Sequence, residues 1–214
     1  MIEKRRGRRA REREQRRAEI LAAARQVFAA KGFSQATIEE IADACALSAG
    51  TIYLYFRNKE ELYVSLVFNA MQLFEESFEK IAASRRRPER KVRALWDFFY
   101  DFYTEYPELY RVFLFLHSDR LRELLSEDVV TAINARSTRN FRVAAEIIGE
   151  ATAAEVYRNV DPLVVVDTLW SLFLGLAHQY ETRQNLRIEA FKLKDTHRQA
   201  FDLVEQGLLA PPRS

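Results

Sequence analysis

The chain has 214 residues, 48% of them apolar and 30% charged, with a formal net charge of +2, a balance that excludes an intrinsically disordered chain. Only 6 Gly and 5 Pro, set against abundant Ala, Leu, Glu and Arg, argue for an all-α fold and against a sandwich or barrel. One cysteine, Cys45, excludes an internal disulfide and points to a reducing, cytoplasmic compartment.

Charge is uneven along the chain. Residues 1–17 hold nine Lys/Arg and three Glu and have no apolar signal core; read alone they are either a solvated tail or a surface meant for a polyanion. Ile20, Leu21, Ala24, Val27 and Phe28 then repeat as one face of a helix, which is expected to stop at Lys31-Gly32, with Phe33 packing back. Thr37-x-x-Glu40 is a capping-box pattern, opening a helix whose inner face is Ile38, Ile41, Ala42 and Cys45. A break at Ala46-Leu47 precedes Ser48, the N-cap of a short helix to about Phe56. Asn58 caps a long helix with the stripe Leu62, Leu66, Ala70, Leu73, Phe74, Phe78, Ile81. Pro88 suits the first turn of the next helix, Pro107 breaks it, and a short helical turn is expected at Ser118-Asp119. Further helices are expected from Ser126 towards Gly149, from Asp161-Pro162 to about Gln184, and over residues 195–206, ending at Gly207.

The segment from Thr37 to Phe56 carries the functional pattern. Its second helix begins with Ser48-Ala49-Gly50-Thr51, a slim, hydroxyl-bearing N-terminus of the kind a helix needs to enter a DNA major groove. Tyr53 and Tyr55 cannot both face the preceding helix, so at least one is exposed and able to meet a phosphate or a thymine methyl. Lys59, at the start of the next helix, can reach phosphate, and so can Thr37 from the other side.

Residues 37–62, with the string Thr51-Ile-Tyr-Leu-Tyr-Phe-Arg-Asn-Lys-Glu-Glu-Leu62, resemble the tetracycline-repressor family of bacterial transcription regulators, and the helix ending Ala30-Lys-Gly-Phe33 is similar to its first helix. The resemblance implies an N-terminal helix-turn-helix domain over residues 1–60 and a larger helical-bundle domain over 61–214 for effector binding and dimerisation. It implies base or groove contacts from Ala49, Gly50, Thr51, Tyr53 and Leu54, and phosphate contacts from Thr37, Ser48, Tyr55 and Lys59. Ala46 departs from the family's usual turn glycine, at a cost of about 1 kcal/mol if the turn is left-handed. The basic stretch from Lys4 to Arg11 is either an arm that tracks the minor groove or backbone beside the operator or a nonspecific electrostatic tether.

The remainder is rich in aromatics at helical spacing. An effector site between the middle helices, implied by the resemblance, would draw on Trp96, Phe99, Tyr103, Tyr110, Phe113, His117, Trp170, Phe173 and His178, and would take a small hydrophobic or aromatic effector. Helix 162–182 is apolar nearly all round and needs two burial partners, so it is either a fully internal core helix or a surface for self-association; the resemblance implies a twofold homodimer on a palindromic double-stranded DNA operator. The run Leu163 to Ala177 is interrupted by Asp167 and short for a bilayer, so no membrane span is expected. Neither a phosphate loop nor a metal-ligand cluster is present, so no enzyme activity and no cofactor are expected. The expected function is therefore a ligand-responsive transcriptional repressor. Two rivals remain open: a helical binding protein for hydrophobic ligands without specific DNA recognition, and a peripheral protein holding anionic lipid through its basic end.

Overall fold

The structure is a computed structural model describing the backbone of residues 2–116, 121–189 and 191–211, and the side chains of these except residues 2–6, 9 and 10. Among the described residues the regular elements are all helices: α1 Ile2–Gln35, α2 Ile38–Ala44, α3 Ala49–Tyr53, α4 Lys59–Ser65, α5 Val67–Ala82, α6 Pro88–Glu105, α7 Pro107–Phe115, α8 Leu121–Leu124, α9 Glu127–Ala153, α10 Pro162–Asn185 and α11 Leu193–Leu208. One antiparallel bridge pairs Tyr157 with Leu209. The chain forms two compact units, one of Met1–Ala70 with Glu108–Asn134, the other of Met71–Pro107 with Ala135–Ser214.

In the first unit α1 packs on α2 and α4, α2 on α3, and α4 on α8. The expected stripe is the core: Ile20, Ala24 and Phe28 are buried with Ile38, Ile41, Ile52, Phe56 and Leu62. Phe33 does pack back, its ring lying 4.9 Å from Tyr63 and 4.7 Å from Phe115. Burial there pushes the Tyr63 phenol up to about 12. Gly32 sits at φ 73, ψ 169, a conformation open essentially to glycine alone, and kinks α1 where the sequence places its end. A second apolar cluster joins Val64 to Leu121, Leu125 and Val129.

In the second unit α6, α10 and α11 pack mutually. Pro88 and Pro162 both stand in the first helical turn, where no N–H partner is needed. The inner stripe of α10 is Val165, Val166, Leu169, Phe173 and Ala177. Arg93 of α6 reaches Asp202 at 2.6 Å and Glu205 at 2.9 Å on α11, and lies over the Phe201 ring at 4.5 Å. Buried Lys91 is satisfied by the Ala82 carbonyl and by Glu150, both at 2.7 Å.

Five expectations change. The basic end is helical from Ile2 and continuous with α1, because nothing in residues 2–31 breaks a helix. The long helix from Asn58 divides at Leu66 into α4 and α5. Cys45 is the C-cap of α2 and half-buried, so it lies past the helix's inner face. Gly207 lies inside α11, which ends at Leu208 when Leu209 turns to pair with Tyr157. At 24 residues α10 outlasts the apolar run and is long enough for a bilayer by length and composition, yet its inner stripe is core. The turn expected at Ser118-Asp119 lies outside the described residues.

Candidate nucleic-acid interface

Two short helices and their caps build the candidate reading head. Thr37 Oγ1 accepts from the Glu40 N–H at 3.2 Å and the Thr37 N–H donates to Glu40 Oε2 at 3.2 Å, closing the capping box. Lys31 hydrogen-bonds the same carboxylate and holds Glu40 below the usual carboxylate range. After α2 the chain reverses in a Schellman motif: the Leu47 N–H donates to the Ala42 carbonyl at 2.8 Å, and the Ala46 N–H to Asp43 at 3.1 Å. Ala46 adopts φ 53, the left-handed turn that glycine would fill without strain.

Ser48 then caps α3, its Oγ accepting from the Thr51 N–H at 3.2 Å and lying 2.9 Å from Thr51 Oγ1. Ile52 is the buried anchor of this single turn and a half. Around it, Ser48 and Gly50 are exposed, Ala49 and Thr51 half-buried, Tyr53 53% exposed and Leu54 73% exposed. A Cβ at Gly50 would meet only Ser48 Oγ, at 3.8 Å, so the protein itself does not require glycine there. Thr37 is exposed at the start of α2, and Tyr55 is half-buried beside α3.

The cations at this end differ in how free they are. Lys59 Nζ donates to the carbonyls of Phe33 at 2.9 Å and Ala36 at 3.0 Å, and lies 4.4 Å over the Phe33 ring. Its ammonium therefore closes the carbonyl end of α1. Arg17 donates to the Tyr55 carbonyl and to Ser65 Oγ, both at 3.2 Å, and stacks 4.4 Å over Phe56. Burial lowers its pKa, with Glu61 and Glu14 opposing. Sequence reasoning missed this buttress, although Arg17 stands three and seven residues before Ile20 and Ala24 on the same stripe. Arg13, Arg16 and Arg57 remain exposed.

The residues named for an effector site are not all brought together. Tyr110, fully buried, and Phe113, half-buried, belong to the first unit. Trp96, Phe99, Tyr103, Trp170 and Phe173 belong to the second, where Trp170 lies 5.1 Å from Phe99 and 6.2 Å from Phe173. Phe74 gathers Phe98, Phe102 and Trp170 around it at 4.9, 4.9 and 5.5 Å. Of this group Phe98, Tyr103 and Trp170 are half-buried. His178 is exposed on α10, and His117 lies outside the described residues. Sequence reasoning missed the partner of His197, which stacks on Trp96 at 4.4 Å and 12°. The pair exchanges bonds: Trp96 Nε1 donates to the His197 carbonyl at 2.9 Å, and His197 Nε2 meets the Trp96 carbonyl at 3.0 Å. Burial drives this imidazole down to about 4. Among the described residues no three His, Cys, Asp or Glu side chains are placed to hold a metal ion.

Residues 20–66 match the family described as bacterial regulatory proteins, tetR family. The chain is 29% identical over 144 residues to the HTH-type transcriptional repressor NicS of Pseudomonas putida, a match covering 67% of this chain and 63% of that protein. It is similar in fold to FadR of Bacillus subtilis in complex with stearoyl-CoA, with a TM-score of 0.69 and 20% identity over 89% of this chain and 98% of that one. It is likewise similar to AibR in complex with isovaleryl coenzyme A and operator DNA, with a TM-score of 0.63 and 21% identity over 92% and 99% of the two chains.

Proposed function

We propose that the chain is a ligand-responsive transcriptional regulator of the tetR type, which its residues 20–66 match, that represses from a palindromic operator and is released by a small hydrophobic effector. The observation that carries this reading is the outward face of α3. Residues 48–54 present small, hydroxyl-bearing and aromatic side chains to solvent, while Ile52 alone ties the helix inward. A helix so anchored can enter a major groove, with Gly50 open to close approach, Tyr53 and Leu54 at base edges, and Ala49 and Thr51 beside them. Thr37, Ser48 and Tyr55 flank that face and would meet phosphates. The Lys59 ammonium is committed to two carbonyls, so a phosphate reaching it must share it.

In this reading residues 1–60 bind DNA, and residues 61–214 bind the effector and a second copy of the chain. The half-buried Phe98, Tyr103 and Trp170 offer an aromatic wall for an acyl chain, in keeping with the acyl-coenzyme A ligands of two proteins of similar fold. Leu163 and Val164 on α10 and Leu203 on α11 are large, apolar and exposed, a surface suited to a twofold partner. The effector acts by population shift, favouring a state in which the two α3 helices no longer match successive turns of the duplex. The work site is the bacterial cytoplasm.

The test is selection of duplex DNA from a random-centred pool, followed by Tyr53→Ala. Retention of the selected sequence should fall at least tenfold while the unfolding midpoint stays unchanged, since Tyr53 is 53% exposed. Failure to enrich any sequence would favour a hydrophobic-ligand binding protein instead. An effector must also bind more weakly to the DNA-bound chain than to the free chain; equal affinity removes it as an effector.

A further inference from the structure

The family match begins at residue 20, yet the chain before it is helical from Ile2 and continuous with the rest of α1. In this stretch Arg17 is fixed against the unit, held by Tyr55, Phe56 and Ser65, with Arg13 5.9 Å above the Tyr55 ring. The helix therefore leaves the reading head beside Tyr55 and Phe56, just beyond the end of α3. From Arg17 back to Ile2 it extends about 22 Å at 1.5 Å per residue.

Nine Lys/Arg and three Glu lie in this stretch. The exposed Arg8, Arg11, Arg13 and Arg16 fall on different sides of the helix at 100° per residue, so no apolar face is left to enter a bilayer. Among the described side chains, Arg8 pairs with Glu12 at 3.3 Å and Arg16 with Glu19 at 2.7 Å, a partial neutralisation. A cationic rod, charged around its girth and rooted next to a DNA-reading helix, fits a partner that is itself a line of negative charge.

We propose that residues 2–11 form a helical extension that grips the phosphates of duplex DNA flanking the site read by α3. It lengthens the footprint of each copy by up to about four base pairs, since residues 2–11 span about 14 Å and each strand carries one phosphate per 3.4 Å of duplex axis. This inference rests on the DNA-binding reading above.

The experiment uses the full chain, a chain lacking residues 2–11, and the full-length variant Ala10→Pro, which keeps every charge and breaks the rod. Each is titrated against the sequence selected from the random-centred pool, carried on duplexes with 2 or 12 base pairs of flank, from 50 to 300 mM salt. The full chain should bind the long duplex more tightly than the short one. Deletion should abolish that difference and lower the slope of log K against log salt by about 3–5 per copy, as expected for loss of several phosphate contacts. Ala10→Pro should lose most of the flank dependence. A slope unchanged by deletion overturns the proposal, and so does flank dependence surviving the proline, which would describe a loose tether. Binding to phosphatidylglycerol vesicles that the deletion abolishes, with the DNA slope unmoved, would assign the extension to a lipid surface. If no sequence is selected at all, the regulator reading fails first, and the two failures are thereby distinct.

Discussion

Replacing Ala46 by glycine should stabilise the protein. Ala46 holds φ 53 in the Schellman motif that separates α2 from α3, and its side chain is exposed. An L-residue pays about 1–2 kcal/mol for the left-handed region, whereas glycine pays nothing there. Against this stands the extra freedom glycine restores to the unfolded chain, about 0.5–1 kcal/mol. Both turn hydrogen bonds use backbone atoms and survive the change. The net gain is about 0.5–1 kcal/mol, which in urea moves the unfolding midpoint up by about 0.3–0.5 M. Arg187 occupies the same motif after α10, at φ 56 with the Ile188 N–H donating to the Arg183 carbonyl at 3.1 Å, so Arg187→Gly should move the midpoint in the same direction. Gly32→Ala should move it the opposite way by about 1–3 kcal/mol. Nothing lies within 4 Å of a Cβ placed there, so the cost is backbone strain alone. An Ala46→Gly variant that is neutral or less stable, with unchanged helicity, would refute the reasoning.

Three further outcomes are expected. Thr37→Ala removes the capping-box acceptor and should cost about 1 kcal/mol, read as a lower urea midpoint. His197→Phe should flatten part of the acid limb of stability: the unfolded imidazole protonates near 6.5 and the folded one only near 4, so the unfolded state binds more protons between these values. Stability present above pH 6.5 is thus lost as pH falls to about 4, by on the order of 3 kcal/mol, and the difference between parent and variant in pH-dependent unfolding measures it. Val164→Glu places a charge on the exposed apolar face of α10; sedimentation should report a weakened dimer while the monomer keeps its helicity, and an unaltered association state would remove that face as the interface.

Much of the local structure was legible because its causes lie within four residues. The Thr37–Glu40 box, the Ser48 and Asn58 caps, and the prolines at 88 and 162 are short-range hydrogen-bonding and steric facts, and the structure holds each of them. The left-handed turn at Ala46 was raised only by the family resemblance, whose usual residue there is glycine, and Ala46 does adopt it. The aromatics of the second half were harder, since periodicity says that a residue faces inward without saying which residues meet. Tyr110 and Trp170 share a helical spacing pattern with their neighbours, yet they belong to different compact units.

Amino-acid order by itself determined the helical class, most helix starts, and the slim outward tip of residues 48–51. Only the tertiary structure decided where the charges of Arg17 and Lys59 go, that Trp96 and His197, 101 residues apart, answer each other's polar groups, and that the basic end continues the rod of α1. The physical reason is range. Caps and turns are settled by backbone groups a few bonds away, whereas a long cationic side chain or a buried ring goes wherever distant parts of the chain supply a carbonyl or a face to cover it.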